Sequence, residues 1–328
     1  MSSTSDLTSA AAGPGRAMAA GPARPVGAPV PALVLPAYAL DGRSLHWNAA
    51  RTAVMFDSTM AEYHSDANAV SSSALKSLVR SPAHMRAYLA GHCEETASQR
   101  LGSAVHAAVF EPQRFARDYV VWNGDRRGRK WLDFSRMNAG REILSIKELA
   151  RVEQCAQAVL VAPAVHDDQQ TYTVADLIQY GQVERNVYWL DETTGLTCRM
   201  RADLMIQHVT LDLKTTDDAR AGEFVRQCVR LHYDIQSAFY LRGRRAFDPR
   251  LKSAPFLFVA AELADPYGVQ VHQADEEAFV AVGDDKVSVA LQTLRVCRQM
   301  NQYPSYSAPR TTLKIPVWAR YPESSLNI

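Results

Sequence analysis

The sequence lacks any apolar run that approaches the length of a membrane-spanning helix. It also lacks a strong charge of either sign, because 36 Lys and Arg residues against 35 Asp and Glu residues leave a formal net charge of +1. A nucleic-acid partner would therefore have to be bound by local basic patches rather than by a global field. A hydrophobic content of 47% and a charged content of 22% are ordinary for a globular protein. We expect no membrane partner.

Closely spaced cysteines and a phosphate-binding loop are also missing. The five cysteines form no C-x-x-C pair, which argues against a zinc site; they are Cys93, Cys155, Cys198, Cys228 and Cys297. We expect reduced thiols in a cytoplasmic protein. No P-loop pattern occurs, so we expect no use of ATP.

Large apolar side chains are scarce in residues 1–37, which consist mainly of Ala, Gly, Pro and Ser. Such a segment cannot bury enough surface to offset the entropy of ordering it. We predict a disordered tail over residues 1–37 and a single domain over residues 38–328. No basic region precedes an apolar core, so we predict no signal peptide.

The stretch Leu196–Thr216 is typical of two strands joined by a tight turn. Its second half has the period-two pattern of a half-buried strand: Val209, Thr210, Leu211, Asp212, Leu213 and Lys214. If residues 207–208 form a two-residue loop, Asp203 lies directly opposite Asp212. Opposed residues of an antiparallel pair project from one face with Cβ atoms about 5 Å apart. Lys214 shares that face, because it lies two residues beyond Asp212.

This predicted cluster of two carboxylates and one ammonium suits metal-assisted chemistry. Two ionised carboxylates at that spacing repel unless something offsets their charge. A divalent cation would do so, and oxygen ligands suit Mg²⁺ or Mn²⁺. A lysine beside the metal could orient or help to deprotonate an attacking water and stabilise charge at phosphorus. The alternative is a salt bridge on an exposed sheet face, since structural ion pairs form similar clusters.

Asp203 and the run Asp212–Thr215 resemble the PD-(D/E)xK nuclease signature in its RecB-like form. Further segments, in the same order, resemble the phage-type exodeoxyribonuclease VIII (RecE-like) family. They are Ser71–Leu75 with Ser81-Pro82, LGSAVH (101–106), QVERNVYW (182–189), TGLTCR (194–199), Gln236 with Tyr240, and IPVW (315–318). The resemblance extends from Ser71 to Ala319 and rests on the order and spacing of the set.

The resemblance implies an α/β, restriction-endonuclease-like fold with a mixed central β-sheet flanked by helices. It implies a Mg²⁺-dependent exonuclease, with Mn²⁺ able to substitute, that degrades duplex DNA from its ends and makes single-stranded tails for phage-type recombination. Asp203 and Asp212 would hold the metal with His106 as an accessory ligand, and Lys214 would activate the attacking water. The chain lacks the clustered C-terminal cysteines of relatives with an iron–sulfur cluster, so none is expected.

Partners and location are implied in the same way. The family works as a ring-shaped oligomer beside a single-strand annealing protein, so we expect a homo-oligomer and such a partner. We expect a bacterial cytoplasm and a phage or prophage origin. Three alternatives remain open, namely an endonuclease or a single-strand nuclease of the same fold, and a catalytically silent DNA-binding scaffold.

Four residues near the signature allow more than one interpretation. A lone histidine on an apolar helix is more often a satisfied core group than a metal ligand, and only the resemblance favours ligation by His106. Glu184 either faces Asp203 and adds a third carboxylate, or is displaced by one residue and is a surface charge. The resemblance implies that Gln236 and Tyr240 hydrogen-bond the scissile phosphate or the catalytic lysine.

Two groups of basic residues are candidates for DNA binding. The first is the run Arg126, Arg127, Arg129 and Lys130 with the neighbouring Trp131, which we interpret as a phosphate clamp with an aromatic ring for base stacking. Its alternative is a solvated loop. The second group is Arg242, Arg244 and Arg245.

The remaining pattern predicts the other elements of the fold. Helices are predicted at Ser71, at Ser81-Pro82, over Leu101–Phe110, from Asn138 to Val161, from Ala219 to Phe247 and over Asp275–Met300. Strands are predicted over Val183–Leu190, Leu196–Ile206 and Val209–Thr215, which form a meander, and over Pro255–Glu262 and Val269–His272.

Overall fold

A seven-stranded central sheet organises the computed structural model, which describes residues 32–91, 96–251, 254–306 and 310–315. Three predictions lie outside the described residues: most of the tail, the thiol of Cys93, and the IPVW segment beyond Ile315. The domain boundary at residue 38 stays a prediction.

The sheet is mixed, as the sequence predicted. Its order is β1-β2-β7-β8-β9-β10-β11, and all neighbours are antiparallel except β9 and β10. The strands of the described residues are β1 (His46–Trp47), β2 (Ala53–Phe56), β3 (Tyr119–Trp122), β4 (Glu142–Ser145), β5 (Pro163–His166), β6 (Thr171–Thr173), β7 (Gln182–Leu190), β8 (Thr197–Ile206), β9 (Val209–Thr216), β10 (Phe256–Glu262) and β11 (Val269–Gln273). The predicted meander is therefore β7-β8-β9.

Helices cover both faces of this sheet. The helices of the described residues are α1 (Met60–Ser65), α2 (Ser72–Arg80), α3 (Pro82–Leu89), α4 (Ala97–Phe110), α5 (Pro112–Asp118), α6 (Gly128–Met137), α7 (Ile146–Val161), α8 (Val174–Tyr180), α9 (Ala221–Arg230), α10 (Tyr233–Phe247) and α11 (Ala281–Met300). A 3₁₀ turn covers Ala37–Leu40, and a π-helical turn at Glu276–Val280 leads into α11. Parallel strands need a long crossover, and α9 and α10 supply it between β9 and β10.

Two hydrophobic cores lie on opposite faces of the sheet. One contains residues of α2, α10 and α11, and the other contains residues of α4, α7 and α8. β10 contributes to both, because Phe256 and Phe258 face the first core while Leu257 and Val259 face the second. This explains the nearly continuous apolar run of that strand. Among the described helices, none has both the length and the apolar character that crossing a membrane would require.

Polar residues at the helix starts behave as predicted. The side chain of Ser71 accepts from the backbone N–H of Ala74 at the start of α2, and the side chain of Ser81 caps α3, with Pro82 in its first turn. These caps fix where the two helices begin.

The predicted continuous helix from Asn138 to Val161 is wrong in its first part. Gly140 has a φ of 85°, and residues 142–145 form β4, which pairs in parallel with β3. The helix begins only at Ile146, where Ser145 and Glu148 form a capping box. The Ser-x-x-Glu spacing was visible in the sequence and marked this start.

Candidate active site

The hairpin between β8 and β9 forms as predicted and then opens. Ile206 pairs with Val209, and regular pairing ends at Leu204 and Leu211. The backbone N–H of Leu213 instead donates to Oδ2 of Asp203 at 2.6 Å. The carboxylate of Asp203 replaces a backbone carbonyl oxygen of β8 as the acceptor. The two strands therefore separate beside the predicted acidic residues.

The neighbouring pair β7 and β8 is also irregular beside Asp203. Val183 pairs with Leu204 and Arg185 with Ala202, so the register places Glu184 opposite Asp203. Glu184 itself has a φ of 51°, in the left-handed region that non-glycine residues rarely adopt. The alternation of side chains also switches here. Ala202 packs in one core and Leu204, two residues later, in the other.

This geometry settles the open question about Glu184. It is not a displaced surface charge, because it is only 8% exposed and its side chain belongs to the site. No sequence pattern indicates the left-handed backbone conformation at Glu184.

Helix α4 approaches β9 closely enough to bring His106 into the site. A Cβ atom on Gly102 would lie 2.9 Å from Oγ1 of Thr215, so glycine is needed for this contact. Nε2 of His106 lies 2.7 Å from the carbonyl oxygen of Leu213. A carbonyl only accepts, so Nε2 carries the proton and Nδ1 carries the lone pair. That lone pair faces Oδ2 of Asp203 at 3.4 Å.

His106, Glu184 and Asp203 form a group that we call the ligand trio. Potential ligand atoms of the three residues all lie within 4.8 Å of one another. Burial lowers the pKa of His106, so the imidazole is neutral. Burial, followed by repulsion from Asp203, raises the pKa of Glu184 to about 7. Burial and repulsion from neighbouring carboxylates likewise raise the pKa of Asp203 well above its usual range.

The ligand trio fits a divalent cation. A lone pair and a carboxylate oxygen that face each other repel unless a proton or a metal cation lies between them. Ligands in adjacent positions around a cation with bonds of about 2.1 Å lie about 3 Å apart, close to the separation of His106 and Asp203. The two carboxylate oxygens suit Mg²⁺ or Mn²⁺, whereas the imidazole nitrogen is a ligand that transition metals prefer. The hydrogen bond of His106 to a backbone carbonyl is the contact that usually orients a ligating histidine.

Arg201 is a member of the site that sequence reasoning missed. Its Nε donates to Oε2 of Glu184 at 2.6 Å, and its Nη1 donates to the carbonyl oxygen of Ser58. The side chain is 5% exposed. Its position two residues before Asp203 on β8 was the available signal. Arg201 holds Glu184 and offsets part of the negative charge of the ligand trio.

Asp212 lies beside the ligand trio but has partners of its own. It forms an ion pair with Lys214, and we call these two residues the Asp212 pair. Its Oδ1 accepts from Nε2 of Gln236 at 2.6 Å. Among the described residues, the group of potential ligands contains Glu184 where the sequence predicted Asp212.

The carboxylate of Asp212 keeps Lys214 in its charged form. Burial alone would lower the pKa of Lys214, but the Asp212 carboxylate and other acidic groups raise it above its usual value. Gln236 donates to Asp212 and accepts from Lys76. The predicted hydrogen bond of Gln236 to the scissile phosphate or to Lys214 stays a prediction. Tyr240 is 7% exposed and packs its ring against Phe256.

The first basic group lies at the start of α6. Arg126 donates to the carbonyl oxygen of Ile143 and stacks over Trp131, whose ring also lies near Trp122. The side chains of Arg127 and Arg129 are 86% and 95% exposed, and Lys130 is exposed as well. The three remain candidates for DNA binding, whereas Trp131 already packs within the protein.

The second basic group needs correction. Arg244 is buried, and it donates to the carbonyl oxygens of Val209 and Gln207 at the hairpin turn. Arg242 donates to Asp284 on α11. These bonds occupy both guanidinium groups, so we remove the two arginines from the predicted DNA-binding set. Arg245 lies 3.7 Å from Glu276 and is partly exposed.

Comparisons with known proteins show the family of this chain. A comparison with curated proteins found no match. The crystal structure of a protein from Eubacterium rectale, described as a "putative exonuclease", covers 80% of this chain and 96% of its own with a TM-score of 0.50 and 16% identity. At that identity the likeness shows the fold alone. The PDDEXK-like domain of unknown function DUF3799 matches residues 71–312, and this chain therefore belongs to that family.

Proposed function

We propose that this protein is a metal-dependent nuclease that hydrolyses phosphodiester bonds of DNA. The observation that carries the proposal is the buried ligand trio of His106, Glu184 and Asp203 directly beside the Asp212 pair. The fold and the family support it, because both are of the PD-(D/E)xK type.

The ligand trio would hold Mg²⁺, with Mn²⁺ able to substitute. The bound cation would supply Lewis-acid stabilisation of charge on the phosphate and on the leaving oxygen. His106 presents Nδ1 because Leu213 fixes the proton on Nε2. Arg201 keeps the carboxylate of Glu184 directed into the site. Asp212, which the sequence predicted as a ligand, lies close enough to contribute to the electrostatics of Asp203.

Lys214 would act on the attacking water and on the phosphate. As an ammonium it cannot accept a proton, so it orients the water by donation and stabilises the charge that develops around phosphorus. Asp212 holds Lys214 in place, and Gln236 holds Asp212. This network preorganises the positive charge without movement during the reaction.

The finer proposal is a Mg²⁺-dependent exonuclease on duplex ends that produces single-stranded tails for phage-type recombination. It is supported by the resemblance of the motifs to RecE-like proteins and by the name of the structural neighbour. A homo-oligomer and a single-strand annealing protein are the proposed partners. The exposed basic side chains at the start of α6 are the proposed contact with the DNA backbone.

The test is digestion of end-labelled linear duplex DNA with Mg²⁺ and with EDTA. We expect degradation from the ends only with Mg²⁺, and no degradation of a covalently closed circle. Cleavage of the circle would indicate an endonuclease, and cleavage restricted to unpaired DNA would indicate a single-strand nuclease. Binding without any cleavage in Mg²⁺ or Mn²⁺ would indicate a silent scaffold and refute the proposal.

A further inference from the structure

Lys76 on α2 is joined to the active site by two consecutive hydrogen bonds. Its Nζ donates to Oε1 of Gln236 at 2.9 Å, and Nε2 of Gln236 donates to Oδ1 of Asp212 at 2.6 Å. Lys76 is 160 residues away from Gln236 in the chain, and no sequence motif marks it as a site residue. The structure therefore places a second lysine at the site.

The two lysines are held near one aromatic ring but are compensated differently. Nζ of Lys76 lies 5.2 Å, and Nζ of Lys214 5.1 Å, from the centre of the Tyr233 ring. Lys214 has Asp212 as its ion-pair partner. For Lys76, no carboxylate within the described residues lies at ion-pair distance. Burial and the neighbouring Lys214 ammonium lower its pKa to about 7, so the more distant Asp212 and Asp234 carboxylates offset its charge only in part.

A partly buried cation next to another cation is unfavourable unless an anion compensates it. A lysine ammonium has three donors. Gln236 accepts one, and the face of the Tyr233 ring attracts a second. The residue is half-buried, so part of it is open to solvent.

We propose that Lys76 is a substrate-binding residue whose ammonium contacts a phosphate oxygen of the nucleic acid beside Lys214. This rests on the proposed function, because the anion is the DNA backbone. Lys214 would then serve the reacting phosphate while held by Asp212, and Lys76 would fix the position of the strand. Through Gln236, the same residue also orients the amide that bonds Asp212.

The first test compares Lys76→Gln with Lys147→Gln, which removes an exposed lysine on the opposite face of the sheet. Binding of a labelled duplex is measured by fluorescence anisotropy in EDTA, so that no cleavage occurs. We expect Lys76→Gln to weaken binding about tenfold to hundredfold, the range for a charged hydrogen bond. Lys147→Gln should change it less than about twofold. Equal binding by both variants would overturn the proposal.

The second test separates phosphate contact from a purely structural role of Lys76. A neutral methylphosphonate replaces one phosphate at a time near the duplex end. At the contacted position this replacement should weaken binding by the wild type but add little in Lys76→Gln, because the two changes remove the same interaction. Losses that add fully at every position would refute a direct contact. Lys76→Arg should retain part of the binding.

Cleavage measured in parallel distinguishes failure of this inference from failure of the proposed function. A wild type that binds through Lys76 but never cleaves would refute the nuclease and leave the contact standing. Unchanged binding and cleavage in Lys76→Gln would refute the contact and leave the nuclease standing. The thermal midpoint of Lys76→Gln should be no lower than that of the wild type, since the variant loses an uncompensated cation.

Discussion

The two halves of the active site offset their negative charge in different ways. Asp212 has a lysine and an amide as partners, so its charge is compensated within the protein. In the ligand trio, Arg201 pairs with Glu184, Asp203 has no ion-pair partner of its own among the lysines and arginines of the described residues, and the imidazole beside them is neutral. The difference indicates a division of labour. The ligand trio has a deficit of positive charge that a metal would fill, and the Asp212 pair supplies a fixed ammonium.

Removal of one ligand should have the largest effect. Asp203→Asn keeps the size of the side chain and one oxygen that can accept from Leu213, but it removes a charged ligand. We expect cleavage of linear duplex to fall by about a thousandfold, and Mn²⁺ to lose its stabilising effect on the thermal midpoint. Asp217→Asn, at an exposed position just after β9, is the matched control. Retention of both properties in Asp203→Asn would refute the ligand trio as the metal site.

Removal of Lys214 should lower cleavage without preventing metal binding by the ligand trio. Lys214→Met should lower cleavage by about a hundredfold or more, because one preorganised charge is lost. Stabilisation by Mn²⁺ should persist, since the ligand trio is intact. The variant also leaves Asp212, which is 1% exposed, without its partner, at a cost in unfolding free energy of about 3–5 kcal/mol.

Asp212→Asn in the Lys214→Met background is the control for that loss of stability. It should restore most of the unfolding free energy measured with urea, but no cleavage. If Lys214→Met abolished metal binding as strongly as Asp203→Asn, the division between the two halves would be wrong.

Replacement of Arg201 should make the stability of the protein depend more strongly on bound metal. Arg201→Met leaves Glu184 buried without its ion pair, and we expect unfolding free energy in EDTA to fall by about 3 kcal/mol. A saturating metal should recover part of this loss, so the shift in thermal midpoint with Mn²⁺ should be larger than in the wild type. Arg185→Met, which breaks a more exposed pair between β7 and Asp57, should cost less than about 1 kcal/mol. Equal effects of the two variants would argue against a special role for Arg201.

The sequence alone was sufficient for the parts of the site that local rules determine. Alternation along β9 and a two-residue loop set the register of the hairpin, and a shift by one residue would have moved Asp212 to the other face. The cap at Ser71 also acts locally. Because such features can be recognised from the order of residues, the proximity of Asp203, Asp212 and Lys214 was predictable.

The remaining parts depend on tertiary contacts that have no sequence pattern. The left-handed backbone of Glu184 is sustained by its neighbours, and Lys76 reaches Gln236 across 160 residues. Basic residues were the least predictable, because one-dimensional spacing does not distinguish an arginine that faces solvent from one that bonds backbone carbonyls. Arg129 is of the first kind and Arg244 of the second.

The smallest expected effect comes from the helix that carries His106. Gly102→Ala would place a methyl group 2.9 Å from Oγ1 of Thr215 and push α4 away from β9. We expect affinity for Mn²⁺, measured by calorimetry, to fall by about tenfold, the effect of disturbing a ligand's support. Thr215→Ala in the same background should restore it, because the clashing atom is removed. Gly222→Ala, where a methyl group meets nothing within 4 Å, is the control and should leave affinity unchanged. The loss of unfolding free energy caused by Lys214→Met should be the same in all three variants, since α4 contacts the ligand trio through His106.

A smaller loss in Gly102→Ala would show that a change at the ligand trio also disturbs the Asp212 pair.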